Sequence, residues 1–348
     1  MYDLNLSSLG KWDVAVCGGG IAGVGAAVAA ARAGASVLLI ESQSSLGGTM
    51  TAGLMCNIID GENKGGIIKE IFDFLNEREL TIAHRGPRFD KNGKKIPGRL
   101  IDVEATKYFL EKLCRDAGVT VIYSATVFGV DVSNERVNSI CIATYCGNFE
   151  LSAEVYIDAS GSGALSELAG LRWECGNPPN PASLGGFVTG MPQDYFGTDS
   201  QEEKEARARA FTDATGVELP SEYLTFKKLP ALDSWCIGYN FEYGIMPDDI
   251  KKYSDAIINA RREGFELVES YKKVKGYERL NLVTTNSYFG MREGRRVFGL
   301  YRISVDDIES GARFDDGICL VTTSVDVHKL HQNDTTECRR GGKTKPYH

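Results

Sequence analysis

The sequence lacks the features typical of membrane proteins, secreted proteins and nucleic-acid-binding proteins. No apolar run approaches the roughly 20 residues that a membrane-spanning helix needs. The N-terminus has neither the basic segment nor the apolar segment of a signal peptide. These absences predict a cytoplasmic protein without a membrane partner. Basic side chains are also outnumbered, 39 against 47 acidic, and the formal charge of -8 argues against a nucleic-acid-binding surface.

Cysteine spacing excludes a second group of functions. The nine cysteines are scattered, and no two are spaced as CxxC. The closest pair, Cys141 and Cys146, flanks a predicted hairpin turn. An odd, scattered set is typical of reduced, mostly buried thiols. The sequence therefore predicts no metal site and no locally built iron–sulfur cluster.

The chain is rich in glycine, with 39 residues among 348, and 43% of it is hydrophobic. This length allows two domains, or one domain with an insertion. Residues 12–17 (WDVAVC) and 36–41 (SVLLIE) are short and apolar, which predicts buried strands. Small residues at 21–33 predict a helix between them. Together they have the size of one βαβ unit.

The turn of this unit carries the G-x-G-x-x-G pattern as Gly18, Gly20 and Gly23. The first glycine permits the tight turn, the second lets a diphosphate approach the backbone, and the third lets the helix pack on the strand. The helix N-terminus at Ile21 and Ala22 then offers N–H groups to phosphates. Glu41, at the end of the second strand, suits ribose hydroxyls and disfavours NADP.

The rest of the chain extends this fold. Residues 66–80 and 102–117 have helical apolar spacing, and four β-branched segments follow between 119 and 157. Residues 171–285 differ in composition and carry charged helices near 199–213 and 247–271. The sequence thus predicts an α/β protein. It predicts a Rossmann-like FAD/NAD(P)-binding domain, with a parallel sheet and a β-meander crossover, formed by residues 1–170 and 286–348. It also predicts an inserted α+β domain, which holds the substrate or acts as a cap, at residues 171–285.

Four segments carry a resemblance to a known family: CGGGIAGVGAAVAAARAGASVLLIES, LGGTMTAG, YIDASGSGALSELAG and the long stretch from Gly290 to His328. The sequence resembles FAD-dependent oxidoreductases with a glutathione-reductase-type dinucleotide fold. Within them it is similar to heterodisulfide reductase A-like proteins. The resemblance implies FAD as cofactor. An iron–sulfur cluster would follow only from that family name, since no cysteine run here supports one.

The resemblance also implies residue roles. The residues that follow Glu41, at positions 47–50, correspond to those that cross the flavin side of the cofactor. Val127 is similar to the position whose backbone groups bind adenine. Ala159, Ser160 and Gly161 resemble the second glycine motif. The predicted cofactor-binding set is Gly18, Gly20, Ile21, Ala22, Gly23, Glu41, Ser42, Gly47, Gly48, Thr49, Met50, Val127, Ala159 and Gly161.

Candidate catalytic residues are less well defined. Arg292, Arg295 and Arg296 lie around Glu293 in sequence. Such arginines can stabilise negative charge at the flavin or bind a carboxylate substrate, or they can form a structural ion-pair network between domains. His328 is another candidate catalytic residue, and the alternative for it is a structural role. Cys56 follows the predicted flavin-side loop without a neighbouring cysteine, which favours a packed, unreactive thiol.

These observations predict an enzyme that transfers hydride or electrons between a small organic substrate and FAD. An NAD-dependent dehydrogenase explains the first βαβ unit equally well. A further alternative is a non-catalytic subunit that binds the nucleotide or transfers electrons and needs a redox partner protein. The chain ends at KTKPYH, where related flavoproteins continue into a further strand–glycine motif. We therefore expect a C-terminally truncated chain. The substrate, the electron acceptor and the oligomeric state do not follow from the sequence.

Overall fold

A computed structural model describes residues 5–61, 64–83, 88–89, 91–93, 95–193, 195, 200–218, 226–230, 233–238, 240–323 and 328–331. The strands are β1 (Ser7–Cys17), β2 (Val37–Ile40), β3 (Thr81–Ile82), β4 (Arg88–Phe89), β5 (Lys95–Ile96), β6 (Leu100–Ile101), β7 (Thr120–Ile122), β8 (Thr126–Ser133), β9 (Arg136–Thr144), β10 (Gly147–Asp158), β11 (Trp173–Glu174), β12 (Gly185–Thr189), β13 (Phe226–Lys228), β14 (Ser234–Gly238), β15 (Asn281–Thr285) and β16 (Arg296–Val297). The helices are α1 (Ile21–Arg32), α2 (Gly66–Asn76), α3 (Val103–Asp116), α4 (Ala164–Leu168), α5 (Gln201–Thr215), α6 (Ile250–Tyr271) and α7 (Val305–Ser310), with a 3₁₀ turn at Gly48–Met50.

The main sheet has the order β7-β2-β1-β10-β9-β8. Strands β7, β2, β1 and β10 are parallel, while β10, β9 and β8 form an antiparallel meander. Strand β10 therefore belongs both to the parallel sheet and to the meander. This topology confirms the predicted Rossmann-like α/β fold with a β-meander crossover.

Both faces of the parallel sheet are covered. In β2, Val37 and Leu39 belong to one apolar core, and Leu38 and Ile40 belong to another on the opposite face. This alternation follows from the two-residue period of a strand. It also explains why the segment is apolar throughout, as is typical of parallel strands covered on both sides. Strand β1 starts at Ser7, before the predicted start at residue 12. Only its last three residues, up to Cys17, are buried.

Local signals set the ends of the surrounding helices. Asp102 caps α3, because its Oδ1 accepts a hydrogen bond of 2.8 Å from the Ala105 N–H. Gly118, with φ of +83°, lies just past the end of that helix. Helix α2 ends at Asn76, four residues before the predicted end. The turn predicted at Asn92–Gly93 connects the antiparallel pair β4 and β5.

A second, antiparallel sheet has the order β13-β14-β12-β15. It packs with α5 and α6 around a separate core that includes Phe211, Phe226, Trp235 and Tyr271. The helices run over Gln201–Thr215 and Ile250–Tyr271, close to the predicted positions. All of these elements fall within the segment predicted as an insertion. No helix among the described residues is long and apolar enough to cross a membrane.

The segment after β15 packs back against the loop that follows the Gly48–Met50 turn. The backbone N–H groups of Ser287 and Tyr288 donate to the Ala52 carbonyl, and Thr322 donates to Asp60 at 2.8 Å. Strand β16 pairs with β11, which lies inside the predicted insertion. The exact domain boundaries therefore stay a prediction. Cys338 and the terminal KTKPYH lie outside the described residues.

Candidate functional site

The candidate site lies where three parallel strands end. Strands β1, β2 and β10 lead into Gly18, Glu41 and Ala159, respectively. Parallel neighbours bring their carboxyl ends to one edge, which is where open α/β sheets bind ligands. Two glycine turns and one acidic residue therefore meet at this edge.

The glycine turn after β1 has no room for side chains at two of its positions. A Cβ on Gly18 would lie 2.3 Å from the Ala159 carbonyl oxygen, and Gly18 has a φ of +111°. A Cβ on Gly23 would lie 1.8 Å from the Gly18 carbonyl oxygen. At Gly20 a Cβ would meet nothing within 4 Å, because this position faces the cavity described below. The three glycines thus differ in role, as the pattern predicts.

Helix α1 begins here, and its first N–H groups have no hydrogen-bond partner among the described residues. Gly20 is the N-cap, and it supplies no side-chain cap. The first turn contains no acidic residue. The first hydrogen bond within the helix joins the Val24 N–H to the Gly20 carbonyl at 2.9 Å. The exposed N–H groups and the positive end of the helix dipole suit an anion such as a diphosphate.

Glu41 is buried, with 5% of its surface exposed. Its Oε2 accepts a hydrogen bond of 2.6 Å from the Gly19 N–H. Its Oε1 accepts from the Gln43 N–H at 2.7 Å and from the Ser42 hydroxyl at 3.1 Å. These donors fix the carboxylate, and each oxygen has two acceptor positions. The carboxylate therefore braces the glycine turn and retains one acceptor position, on Oε2, for a ribose hydroxyl.

The turn at Gly48–Met50 lies against the first glycine turn. The Gly47 N–H donates to the Gly19 carbonyl at 2.8 Å, and a Cβ on Gly48 would lie 3.1 Å from the Gly20 Cα. Gly47 and Gly48 have positive φ values of 103° and 52°. Glycine is needed at this point because the backbone is left-handed and the two turns approach closely.

Asp158, the last residue of β10, organises the second glycine turn. Its Oδ1 accepts hydrogen bonds from the Ser160 N–H and hydroxyl, and its Oδ2 accepts from the Ser166 N–H and hydroxyl. Burial alone would raise the pKa of Asp158, but these four bonds outweigh it and lower the pKa. The carboxylate therefore stays charged and holds Ala159 and Gly161 in place.

The residues named above enclose a cavity of about 1150 Å³, called the main cavity below. All but one of the predicted cofactor-binding residues line it. The exception is Gly23, which lies behind the glycine turn and packs against Gly18. Sequence reasoning missed a further part of the lining: Gln43, Met55, Asn57, Ile58, Ile59, Asp60, Gly61, Lys64, Ile68, Ser162, Pro247, Asp248, Asp249, Ile250, Tyr253, Tyr288, Phe289, Met291 and Leu320.

The charged cluster around Glu293 divides between two positions. Glu293 is buried and accepts hydrogen bonds from the N–H groups of Gly176 and Asn180, both at 2.8 Å, and it pairs with Arg296. Glu293 also lines the main cavity, so these contacts lie at the cavity wall. Arg295 lines the same cavity.

Arg292 lies further away, outside the described lining of the cavity. Its guanidinium donates to the Pro181 carbonyl at 2.7 Å and lies over the Phe241 ring. His328 packs near the same ring, with the ring centres 5.9 Å apart, and is likewise outside that lining. Arg295 is therefore the catalytic candidate that the fold brings to the cavity.

Cys56 is a buried thiol, but it has a partner that the sequence does not indicate. Its thiol and that of Cys236 on β14 are hydrogen-bonded, and this contact together with burial raises the pKa of Cys56. Both cysteines are free thiols. A raised pKa keeps the Cys56 thiol protonated and poorly nucleophilic. In the described part of the chain, no cluster of three or more His, Cys, Asp or Glu side chains is arranged to hold a metal ion.

The sequence matches the family described as FAD dependent oxidoreductase over residues 13–348. The chain belongs to this family. Its cofactor is FAD, and the edge of the sheet fits that cofactor. The uncapped N–H groups of α1 would hold a diphosphate, Glu41 would accept from a ribose hydroxyl, and open space lies in front of Gly20.

Two curated relatives match a part of this FAD-dependent oxidoreductase. The tRNA uridine 5-carboxymethylaminomethyl modification enzyme MnmG of Aquifex aeolicus (strain VF5) is 30% identical over 134 residues, covering 36% of this chain and 21% of that enzyme. The enzyme of the same name from Aliarcobacter butzleri (strain RM4018) is 29% identical over 138 residues, covering 38% and 21%. The matched stretch thus spans about a fifth of the relatives' length.

Solved structures show similarity over more of the chain. A geranylgeranyl bacteriochlorophyll reductase-like protein from Thermoplasma acidophilum has a TM-score of 0.45 and 15% identity, covering 82% of this chain and 66% of that chain. The p-nitrophenol 4-monooxygenase PnpA from Pseudomonas putida DLL-E4 has a TM-score of 0.48 and 14% identity, covering 84% and 70%.

Proposed function

We propose that the protein transfers hydride or electrons between a small organic substrate and FAD held in the main cavity. The observation that carries the proposal is the shape of this one cavity. It joins both glycine turns to a wall formed by the start of α6 with the turn before it and by the segment that follows the second sheet. Its volume of about 1150 Å³ exceeds the ~300–1,000 Å³ of ordinary small-molecule sites, which leaves room for a substrate beside the cofactor.

The protein's own contribution is binding and electrostatics. The first-turn N–H groups of α1 offset the charge of a diphosphate, and Glu41 fixes a ribose. Gly47 and Gly48 leave space for a flat ring system against the backbone. When bound, FAD supplies the electron transfer through its isoalloxazine ring.

Arg295 is the residue that we propose to stabilise negative charge in the substrate part of the cavity. Its guanidinium donates to the carbonyls of Ser162 and Pro247, both at 3.2 Å, and lies over the Trp173 ring at 5.1 Å. The two carbonyls come from the nucleotide-binding part and the inserted segment, so Arg295 is fixed between them. A positive charge held in this way needs little reorganisation when negative charge develops nearby.

Family membership decides for FAD over NAD, which the first βαβ unit alone left open. The similarity to heterodisulfide reductase A-like proteins stays part of this proposal, and a non-catalytic subunit that needs a redox partner protein stays its alternative. We do not extend tRNA modification to this chain, because the match covers about a fifth of those enzymes and the formal charge here is -8.

The test is cofactor uptake followed by reduction. The purified protein is reconstituted with FAD, and its visible spectrum is recorded after removal of free FAD. We expect bound flavin bands that bleach anaerobically with one class among small alcohols, amines, thiols and carboxylic acids. Arg295→Lys keeps the charge but loses the forked donors, and it should slow bleaching more than it weakens FAD binding. Bound flavin that no substrate or partner protein bleaches would refute the proposed activity while leaving the cofactor assignment intact.

A further inference from the structure

Tyr288 belongs to the segment that follows the second sheet, yet its side chain lines the main cavity. Its backbone is fixed from two sides. The N–H groups of Ser287 and Tyr288 both donate to the Ala52 carbonyl, at 3.1 and 3.3 Å. The Tyr288 carbonyl accepts a hydrogen bond of 2.8 Å from the Asn286 amide, and the same amide's oxygen accepts from the Gly185 N–H at 2.9 Å. Tyr288 therefore has a defined position between the Gly48–Met50 turn and the second sheet.

The Tyr288 hydroxyl lies at the second glycine turn. A Cβ built on Gly161 would lie 3.4 Å from this oxygen, and Gly161 has a φ of +74°. The hydroxyl also lies close enough to Glu41 for that carboxylate to affect its titration. Gly161 follows β10 and Glu41 follows β2, so the hydroxyl lies over the edge where a dinucleotide's diphosphate and ribose groups bind.

The chemistry of this hydroxyl suits an anionic acceptor. Burial, and secondly the charge of Glu41, raise the pKa of Tyr288, so the phenol stays protonated and can donate. Among the described residues, the Tyr288 hydroxyl makes no hydrogen bond. A half-buried donor that faces a cavity gains most from an acceptor brought by a ligand. Gly20, Ile21 and Ala22, at the start of α1, line the same cavity as Tyr288.

We propose that Tyr288 is a cofactor-binding residue whose hydroxyl donates a hydrogen bond to the diphosphate of FAD. The proposal rests on FAD occupying the main cavity. It makes the segment after the second sheet part of the nucleotide site, although the glycine motifs lie more than a hundred residues earlier in the sequence. It also links cofactor binding to the second sheet through Asn286 and Gly185.

The experiment compares two ligands and two variants. Tyr288→Phe removes the hydroxyl and keeps the ring. Dissociation constants are measured by calorimetry for FAD and for ADP-ribose, which carries the diphosphate without the flavin. A hydrogen bond to a charged acceptor corresponds to a loss of about tenfold or more in affinity, so we expect that loss for both ligands. The control is Tyr123→Phe, whose hydroxyl donates to Glu111 at 3.0 Å outside the described cavity lining; both affinities should stay unchanged.

Three outcomes would overturn the proposal. Unchanged affinities in Tyr288→Phe refute any role of the hydroxyl in binding. A loss for FAD alone refutes the diphosphate as its acceptor and points to the flavin half. Failure of the unmodified protein to bind FAD removes the basis of the assignment, and this result is visible before either variant is tested. Thermal melting of both apoproteins shows whether Tyr288→Phe changes the fold rather than the contact.

Discussion

Gly23→Ala tests the close packing on which the nucleotide site depends. The new Cβ would lie 1.8 Å from the Gly18 carbonyl oxygen and 3.2 Å from the Ala159 Cβ. Real Cβ atoms essentially never approach within 3.0 Å of another heavy atom, so the start of α1 must move by about 1 Å or more. An N–H···O bond of about 2.9 Å would then lengthen beyond the normal limit of about 3.2 Å.

This displacement sets the expected magnitude. Overpacking of this kind costs about 1–3 kcal/mol of stability. Loss of one hydrogen bond to a charged phosphate costs about 1.5–3 kcal/mol, so the dissociation constant for FAD should rise by about tenfold or more. The assays are calorimetric FAD titration and thermal melting of the apoprotein.

Gly25→Ala is the matched control on the same helix. A Cβ at Gly25 would meet nothing within 4 Å. Replacing a glycine in a helix interior by alanine stabilises by about 0.5–1 kcal/mol, so the melting temperature should rise slightly while FAD affinity stays the same. If Gly23→Ala binds FAD and melts as Gly25→Ala does, the third glycine does not set the helix–strand distance, and our account of the turn is wrong.

Three further predictions concern single side chains. Asp158→Asn should lower stability by about 1–3 kcal/mol at pH 7 because it weakens four accepted hydrogen bonds. The pKa of Asp158 is lowered in the folded state, so its carboxylate stabilises the fold above its ordinary pKa of 3.8, and this stabilisation is lost as the pH falls below that value. Urea denaturation at pH 7 and at pH 3 measures the difference in the free energy of unfolding. The buried Asn57 Oδ1 has no hydrogen-bond partner in the part of the chain that the structure describes, so Asn57→Leu should leave the apoprotein's melting temperature equal or higher, and a marked fall would show a structural bond there. Burial raises the pKa of Cys17 to about 12, so mass spectrometry after brief alkylation at pH 8 should find Cys146 labelled and Cys17 unlabelled until denaturant is added.

The nucleotide half of the site could be predicted because its signals are local. Gly18, Gly20 and Gly23 fall within one turn; close backbone approaches exclude a side chain at Gly18 and Gly23, and Gly20 lines the open cavity. Glu41 follows the next strand, so the βαβ unit itself fixes its distance from the turn. The same reasoning holds for Gly47 and Gly48, whose positive φ values explain why the loop is glycine-rich.

The remainder of the site could not be predicted, because long-range packing decides it. Arg292 and Arg295 are three residues apart, yet only Arg295 is among the residues that line the main cavity. Cys56 and Cys236 are 180 positions apart and meet because β14 packs against the first core. No spacing rule in the sequence distinguishes these outcomes.

The sequence by itself determined the fold class and the position of the dinucleotide turn. These features depend on backbone geometry within one strand–turn–helix unit, where residue type and spacing are sufficient. Only the tertiary structure decided which side chains close the cavity. Tyr288 and Arg295 reach it because the segment that follows the second sheet docks on the Ala52 carbonyl and on Ser162. That docking depends on the shapes of whole packed surfaces, which no local pattern encodes.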